Sequence, residues 1–303
     1  MELRQLRHFV AVVDSGNLSV AARKVYLSQP ALTRSIRGLE ESLGTVLFSR
    51  SARGMVVTAA GERLYQYGRM ILNDCRRAAE EMRTLKSGVV GNVSVGIGAM
   101  FSSYVADVVI DRVAKELPGL NVSVTEGYFE DLLSQLQSGR LDLVFTNIPF
   151  SVGYDGLVME QLLELEVAVI AGSSHPLARR KTVSIGDLAA AAWMTINQPH
   201  SIDLHERYFS EHGVAAPHIP VRVSSLPLMR SLLVKGGFVA FLPRHVVDTE
   251  LRAGSLRQIR VERPPGKRRA GLLYVNRPLQ SQSVARVMQL LREECARVSA
   301  AAA

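Results

Sequence analysis

The chain has 303 residues, too many for one ordinary core and suited to two or three domains. Hydrophobic residues make up 47% and charged residues 21%, a globular balance that excludes a disordered chain. The net charge of +8 points to a polyanionic partner, and half of it sits between Met1 and Thr58, where eight Lys and Arg face four acids. The two cysteines, Cys75 and Cys295, give neither a disulfide framework nor a zinc spacing. The opening MELRQLRHF lacks the order of a signal peptide, and no apolar run has the length of a membrane span. A soluble, cytoplasmic protein without a membrane partner is expected.

Leu3, Leu6, Phe9, Val10 and Val13 recur at helical spacing and predict a first amphipathic helix, stopped at Asp14-Ser15-Gly16-Asn17. A second helix is predicted from Leu18 to Tyr26, with small Ala21 and Ala22 in its middle to let another helix approach. Ser28 is a good N-cap, and Pro30 fits a first turn because its missing N–H has no helical partner to lose. The third helix, Ala31 to Leu43, places Leu32, Ile36, Leu39 and Leu43 on one face and leaves Thr33, Arg34 and Arg37 off it. Two short helices joined by a tight turn make a helix-turn-helix, whose second helix sets its N-terminal residues against base edges. Gln29 suits bidentate pairing with adenine, and Arg34 suits guanine or a phosphate. Arg37, Arg50 and Arg53 suit backbone contacts, which position without specifying. Ser49 to Gly54 reads as the tip of a hairpin, which makes the head a winged variant. An isolated basic helix face is more often merely solvated; here the cap, turn, apolar register and wing agree.

The run Ala21-Ala22, then Leu27-Ser28-Gln29-Pro30-Ala31-Leu32-Thr33-Arg34-Ser35-Ile36, then Leu39-Glu40, Leu43-Gly44, Leu47-Phe48, Arg50, Arg53-Gly54, Thr58 and Gly61 resembles the head of LysR-type regulators. The resemblance is nearly gapless over about sixty residues, and looser over the body. It implies that Gln29, Pro30, Thr33 and Arg34, with Ser28 beside them, face the DNA groove, and that Arg50 and Arg53 lie on the wing.

Thr58 to Leu85 has no proline and predicts one long linker helix. Leu64, Gly68, Ile71, Cys75, Ala78, Met82 and Leu85 form a heptad seam, the mark of helix pairing or of packing on the chain's own body. The resemblance implies dimerisation here, through Leu64, Ile71, Ala78 and Met82. Lys86-Ser87-Gly88 and Gly91 mark a boundary. The expected domains are therefore a head at 1–58, a linker helix at 59–88 and an effector domain at 92–303.

Beyond Asn92, strands and helices alternate. A strand at Val93–Ile97, a helix at Ser103–Leu117, a strand at Leu120–Thr125, a helix at Phe129–Gln137 and a strand at Leu141–Thr146 predict a parallel sheet. Further strands are expected at Leu165–Ala171, Trp193–Ile196, Val221–Val223, Phe238–Leu242 and Ala270–Val275. Helices are expected at Ile202–His212, Leu226–Lys235 and Ser283–Arg297. Periodicity alone also allows one larger sheet. The resemblance implies two lobes of the periplasmic-binding-protein type, about 92–163 with 270–303 and about 164–269, crossed near Leu163-Glu164 and near Pro264–Arg269. Ligands of such lobes bind beyond the carboxyl ends of the strands. That places Ser102, Ser103, Tyr128, Thr146, Asn147, Ser201 and Ser224 as candidate effector contacts, suited to a small anion, which the resemblance implies is often a carboxylate. Any one of these serines taken singly is more often an N-cap without ligand contact.

Other chemistries fail. Gly96-Ile97-Gly98 lacks the third glycine of a dinucleotide loop, with Phe101 in its place. No nucleophile elbow or phosphate loop is present. His200, His205, His212 and His218 show no metal spacing. No cofactor, no metal and no enzymatic activity are expected. The leading reading is an effector-responsive regulator acting on double-stranded DNA as a dimer or tetramer, with RNA polymerase a further partner if it activates. The alternatives are an effector-independent DNA-binding protein and an enzyme with an accessory DNA-binding head.

Overall fold

The computed structural model describes residues 1–51, 54–87, 91–149, 153–154, 156–276 and 280–302. The head is built from α1 (Leu3–Ser15), α2 (Leu18–Lys24), α3 (Gln29–Leu43) and a hairpin of β1 (Phe48–Ser51) with β2 (Gly54–Val57). Gly16, in the left-handed region, ends α1, and Asn17 then caps α2 by accepting from the Ser19 and Val20 amides. α2 stops at Lys24 rather than Tyr26, because Tyr26 turns to φ +56° and a left-handed residue cannot continue a right-handed helix. Leu6, Phe9, Ala21, Leu32, Leu39 and Leu47 are fully buried and lock the three helices together. Glu40 turns inward and accepts from the Leu47 and Phe48 amides at 2.7 and 3.2 Å, so α3 fixes the base of the hairpin.

The linker helix α4 (Ala59–Ser87) enters against this core. A side chain at Gly61 would put its Cβ 2.3 Å from the Leu47 carbonyl oxygen, so only glycine lets α4 start here. The seam divides along its length. Leu64 and Gly68 spend their surface on the head, whereas Ile71, Cys75, Ala78 and Met82 are exposed. Another face of α4 meets both the head and the chain's own body. Arg69 pairs with Asp14 at 3.0 Å and donates to the Ser138 carbonyl, and Arg77 pairs with Asp142, whose second oxygen accepts from the Ser94 amide at 2.7 Å. Gly88, the expected linker boundary, lies outside the described residues.

The body opens with β3 (Asn92–Gly98), α5 (Asp107–Glu116), β4 (Asn121–Gly127), α6 (Phe129–Gln137) and β5 (Leu143–Ile148). The three strands are parallel, in the order β4-β3-β5. Between β3 and α5 the chain does not run as one α-helix from Ser103. A 3-10 turn at Ala99–Phe101 and a π turn at Ser102–Ala106 precede α5, with Ser103 itself off helical geometry. Next come β6 (Leu157–Gly172), α7 (Ile185–Ala189), β7 (Met194–Ile196), α8 (Pro199–Glu211), β8 (Val221–Val223) and α9 (Leu226–Val234). The chain closes with β9 (Val239–Pro243), α10 (Asp248–Arg252), β10 (Leu256–Ile259), β11 (Lys267–Val275) and α11 (Gln282–Ala302).

Two strands tie the lobes together. β6 pairs antiparallel with β11 from Leu157 to Glu166, then with β9 and β10 from Val167 to Gly172. β11 in turn pairs with β5 from Arg269 to Tyr274. The chain therefore passes from the first lobe to the second inside β6 and returns at Gly266-Lys267. A cluster around Trp193, Phe209 and Val169 fills the second lobe's outer core, and α6 packs Leu132 and Leu136 on the first.

Candidate nucleic-acid interface and interlobe cleft

The N-terminus of α3 is set by Ser28, whose hydroxyl accepts from the Ala31 amide at 3.4 Å, with Pro30 in the first turn. Ser28, Gln29 and Pro30 are exposed, and Thr33 is half-buried. Gln29 accepts from the Ser19 hydroxyl at 3.0 Å, which leaves its amide N–H groups for another partner. Thr33 donates back to the Gln29 carbonyl at 2.9 Å. Arg34 and Arg37 are exposed, one turn further along, and among the described residues no carboxylate pairs with either. The nearest acid on this helix, Glu40, is occupied by the hairpin amides. Arg50 stands in β1 opposite Met55, while Arg53 lies outside the described residues. Tyr26 was placed inside a helix by its sequence; it instead stands 95% exposed beside Ser28. Behind this surface His8 shares a 2.7 Å hydrogen bond with Ser35, and burial together with Arg4 and Arg7 holds its pKa below the usual value.

The second candidate site lies between the lobes, beyond the carboxyl ends of β3, β4 and β5. Gly98, Met100, Gly127, Tyr128, Thr146 and Asn147 face Ile196, His200 and Ser201 across a narrow cleft. Gly98 is required here, since a Cβ would sit 2.5 Å from the Thr146 hydroxyl. Four expected residues thus meet: Tyr128, Thr146, Asn147 and Ser201. The other three stand apart. Ser102 donates to the Glu126 carboxylate, Ser103 is exposed, and Ser224 takes part through its backbone, accepting from the Tyr128 hydroxyl at 2.7 Å. That bond joins the lobes. A second link is His245, which donates from Nε2 to the Met100 carbonyl at 3.0 Å and stacks on Tyr104 at 4.1 Å between ring centroids. Burial lowers the His245 pKa to about 4, so the ring is neutral at neutral pH.

On the hinge side the cleft widens into a chamber of about 710 Å³, part of it open to solvent. Phe129, Ile148, Pro149 and Leu204 form its apolar wall. His200, Arg207, Lys267, Arg268 and Arg269 supply the polar wall, with Asp203 as its acid. Burial and the neighbouring Arg268 lower the His200 pKa to about 4, against a smaller opposing effect of Asp203. Arg268 is 8% exposed; burial and Arg207 lower its pKa to about 10, which leaves it charged at neutral pH. Sequence reasoning treated Lys267-Arg268-Arg269 as hinge and missed this site. The available signal was strand alternation, which puts Arg268 in register with buried Ala270 and Leu272.

Among the described residues, neither site carries an assembled nucleophile with its base. His205 is packed in the core against Trp193 at 4.9 Å, and His212 donates to the Tyr208 carbonyl at 2.5 Å. Among the described residues no three His, Cys, Asp or Glu side chains converge as a metal site.

Comparison with known proteins decides the family. Residues 3–62 match the bacterial regulatory helix-turn-helix protein model of the lysR family, and residues 86–296 match the LysR substrate binding domain. The chain belongs to the LysR family of transcriptional regulators. Among its relatives, the RuBisCO operon transcriptional regulator of Allochromatium vinosum is 26% identical over 98% of both chains. A probable nitrogen assimilation transcriptional activator of Synechococcus elongatus is 30% identical over 80% of this chain and 79% of its own. In fold, the LysR family regulator CbnR superposes with a TM-score of 0.67 at 24% identity, covering 97% of this chain and 99% of CbnR. This LysR-family chain is a DNA-binding regulator with an effector-binding domain, and not an enzyme. No described helix is long and apolar enough to cross a membrane.

Proposed function

We propose that this LysR-family regulator reads a specific operator with the N-terminal end of α3 and responds to a small anionic effector held between its lobes. Gln29 and Arg34 would face base edges, with Ser28, Pro30 and Thr33 along the groove. Arg37 and the hairpin arginines Arg50 and Arg53 would hold phosphates. The observation that carries the reading is the exposed pair Arg34 and Arg37, which has no ion pair among the described residues, with Glu40 turned to the hairpin amides. Phosphate oxygens are the complementary surface for such cations.

The working unit is a dimer or tetramer, and the exposed stripe Ile71, Ala78 and Met82 of α4 is the pairing surface, with Leu64 at its head-packed end. The domain limits that go with this reading are 1–58, 59–88 and 92–303, in a cytoplasmic protein. RNA polymerase is the further partner where the regulator activates. An effector with different affinity for two lobe arrangements would shift the angle between heads.

The test is binding to the region upstream of the protein's own gene across a salt series, with Arg34→Ala alongside. Saturable, sequence-specific binding, weakened by the substitution, is the expected result. Equal binding to random DNA, indifferent to Arg34→Ala, would sink it and leave an effector-independent binder.

A further inference from the structure

Three buried polar atoms around the cleft lack a protein partner: Asn147 Oδ1, Ser201 Oγ and Arg268 Nη1. Buried polar groups are nearly always hydrogen-bonded, and leaving one bare costs about 1–3 kcal/mol, more for a charge. Three of them around one interlobe cleft mark a place built for something else. Arg268 is the most demanding of the three, a charged guanidinium with 8% exposure and no carboxylate partner among the described residues.

Its basic neighbours are already served. Lys267 pairs with Glu164 at 2.8 Å, Arg207 has Glu211 at 3.7 Å, and Arg269 has an interaction of its own. Among the described residues, Arg268 is the chamber's one buried cation without an ion pair. The acid on its wall, Asp203, is exposed on α8 and does not pair with Arg268. Facing these groups, Phe129, Ile148, Pro149 and Leu204 offer an apolar surface that inorganic anions cannot use.

Resting on the effector reading above, we propose that Arg268 anchors the effector, and that the effector is an organic monocarboxylate with an apolar or aromatic body. A planar guanidinium matches a planar carboxylate through two parallel N–H donors. The body of the ligand lies against Phe129, Ile148 and Leu204. Because Arg268 sits two residues after Gly266, where β11 returns from the second lobe, the anchored carboxylate acts at the hinge itself.

The full-length protein is titrated with benzoate, benzamide and inorganic phosphate by calorimetry and thermal shift, in the wild type and in Arg268→Met and Arg252→Met. Benzoate is expected to bind saturably and raise Tm, with benzamide and phosphate at least 10-fold weaker. Arg268→Met should weaken benzoate by 10-fold or more, while its ligand-free Tm equals or exceeds the wild type, since a bare buried charge is replaced by an apolar chain of similar length. Arg252→Met should keep benzoate binding within about 3-fold, because Arg252 is an exposed arginine of α10 paired with Asp248. Benzoate binding that survives Arg268→Met overturns the anchor. Phosphate or benzamide binding as well as benzoate, or no benzoate binding at all, overturns the monocarboxylate. A lower ligand-free Tm in Arg268→Met overturns the unpaired charge. Operator binding is measured on the same samples: specific binding alongside a negative benzoate result sinks the ligand class alone, whereas loss of specificity in the wild type sinks the regulator reading.

Discussion

The head and the cleft use the same side chain in opposite ways. On α3, Arg34 and Arg37 stand in solvent, paired with no acid among the described residues. In the cleft, Arg268 is buried and equally unpaired. An exposed arginine loses little by waiting, because water solvates it, and on the proposed operator reading its partner is DNA. A buried arginine waits at a standing cost, and only a small ligand of matching charge and shape relieves it. On the proposed readings, the contrast separates arginines that wait for their partner at little cost from one that waits buried.

The sharpest way to break that contrast is at the joint between the two regions. The Arg77–Asp142 pair, with side chains 14% and 3% exposed, anchors the linker helix on the first lobe. Arg77→Met leaves Asp142 buried without its cation and is expected to cost about 3–5 kcal/mol, read as a fall in chemical-denaturation stability of the body. A loss below 1 kcal/mol would show that the linker helix is not held there. The next effect is on binding alone: Arg34→Ala should cost about 1–3 kcal/mol of operator affinity and relax preference at one base position, with Tm unchanged. If Tm falls with affinity, Arg34 is a structural residue and the contrast fails.

Acid should strike the body harder than the head. His200, His205 and His245 have folded pKa values of about 4, against 6.5 for the ordinary ring. Between those values the unfolded chain binds more protons than the folded one, so this stability is whole above pH 6.5 and is lost as pH falls toward 4. Thermal scans from pH 7.5 to 4.5 should show Tm dropping within that window, and His245→Phe should flatten the drop. A Tm constant across the window would show that these rings are not buried neutral. The smallest effect is at the lobe contact: Tyr128→Phe removes one hydrogen bond to the Ser224 carbonyl and should cost about 0.5–1.5 kcal/mol. Small-angle scattering of the ligand-free protein should then report a wider cleft; an unchanged profile places the latch at His245 instead.

The head was legible because each of its cues is local. Caps at Asn17 and Ser28, a left-handed glycine at Gly16 and a four-three-four apolar stripe all act within a few residues. The body was legible in its first three strands for the same reason, since each alternates or runs apolar on its own. β6 was read from Leu165 onward, yet it begins at Leu157, because Glu160 and Glu164 interrupt the apolar run. Glu160 is there to meet Arg292 of α11 at 2.7 Å, a partner 132 residues away that no local pattern reveals. The short α7 and β10 escaped notice because five and four residues carry too little periodicity to stand out. Arg268 escaped for a deeper reason: in sequence it looks like one of three hinge cations, and only the packing of α6, α8 and β11 around it sets it apart.

The lobes are joined by neither a single loop nor two independent ones. β6 and β11 cross side by side, hydrogen-bonded to each other right up to Glu166 and Lys267. A paired ribbon of this kind is compliant in bending out of its plane and stiff against shear within it, because in-plane sliding would break its ladder bonds while bending spares them. Bending of this ribbon is therefore the expected soft coordinate between the lobes. On the proposed effector reading, an occupant of the cleft would act through a single scalar, the opening angle.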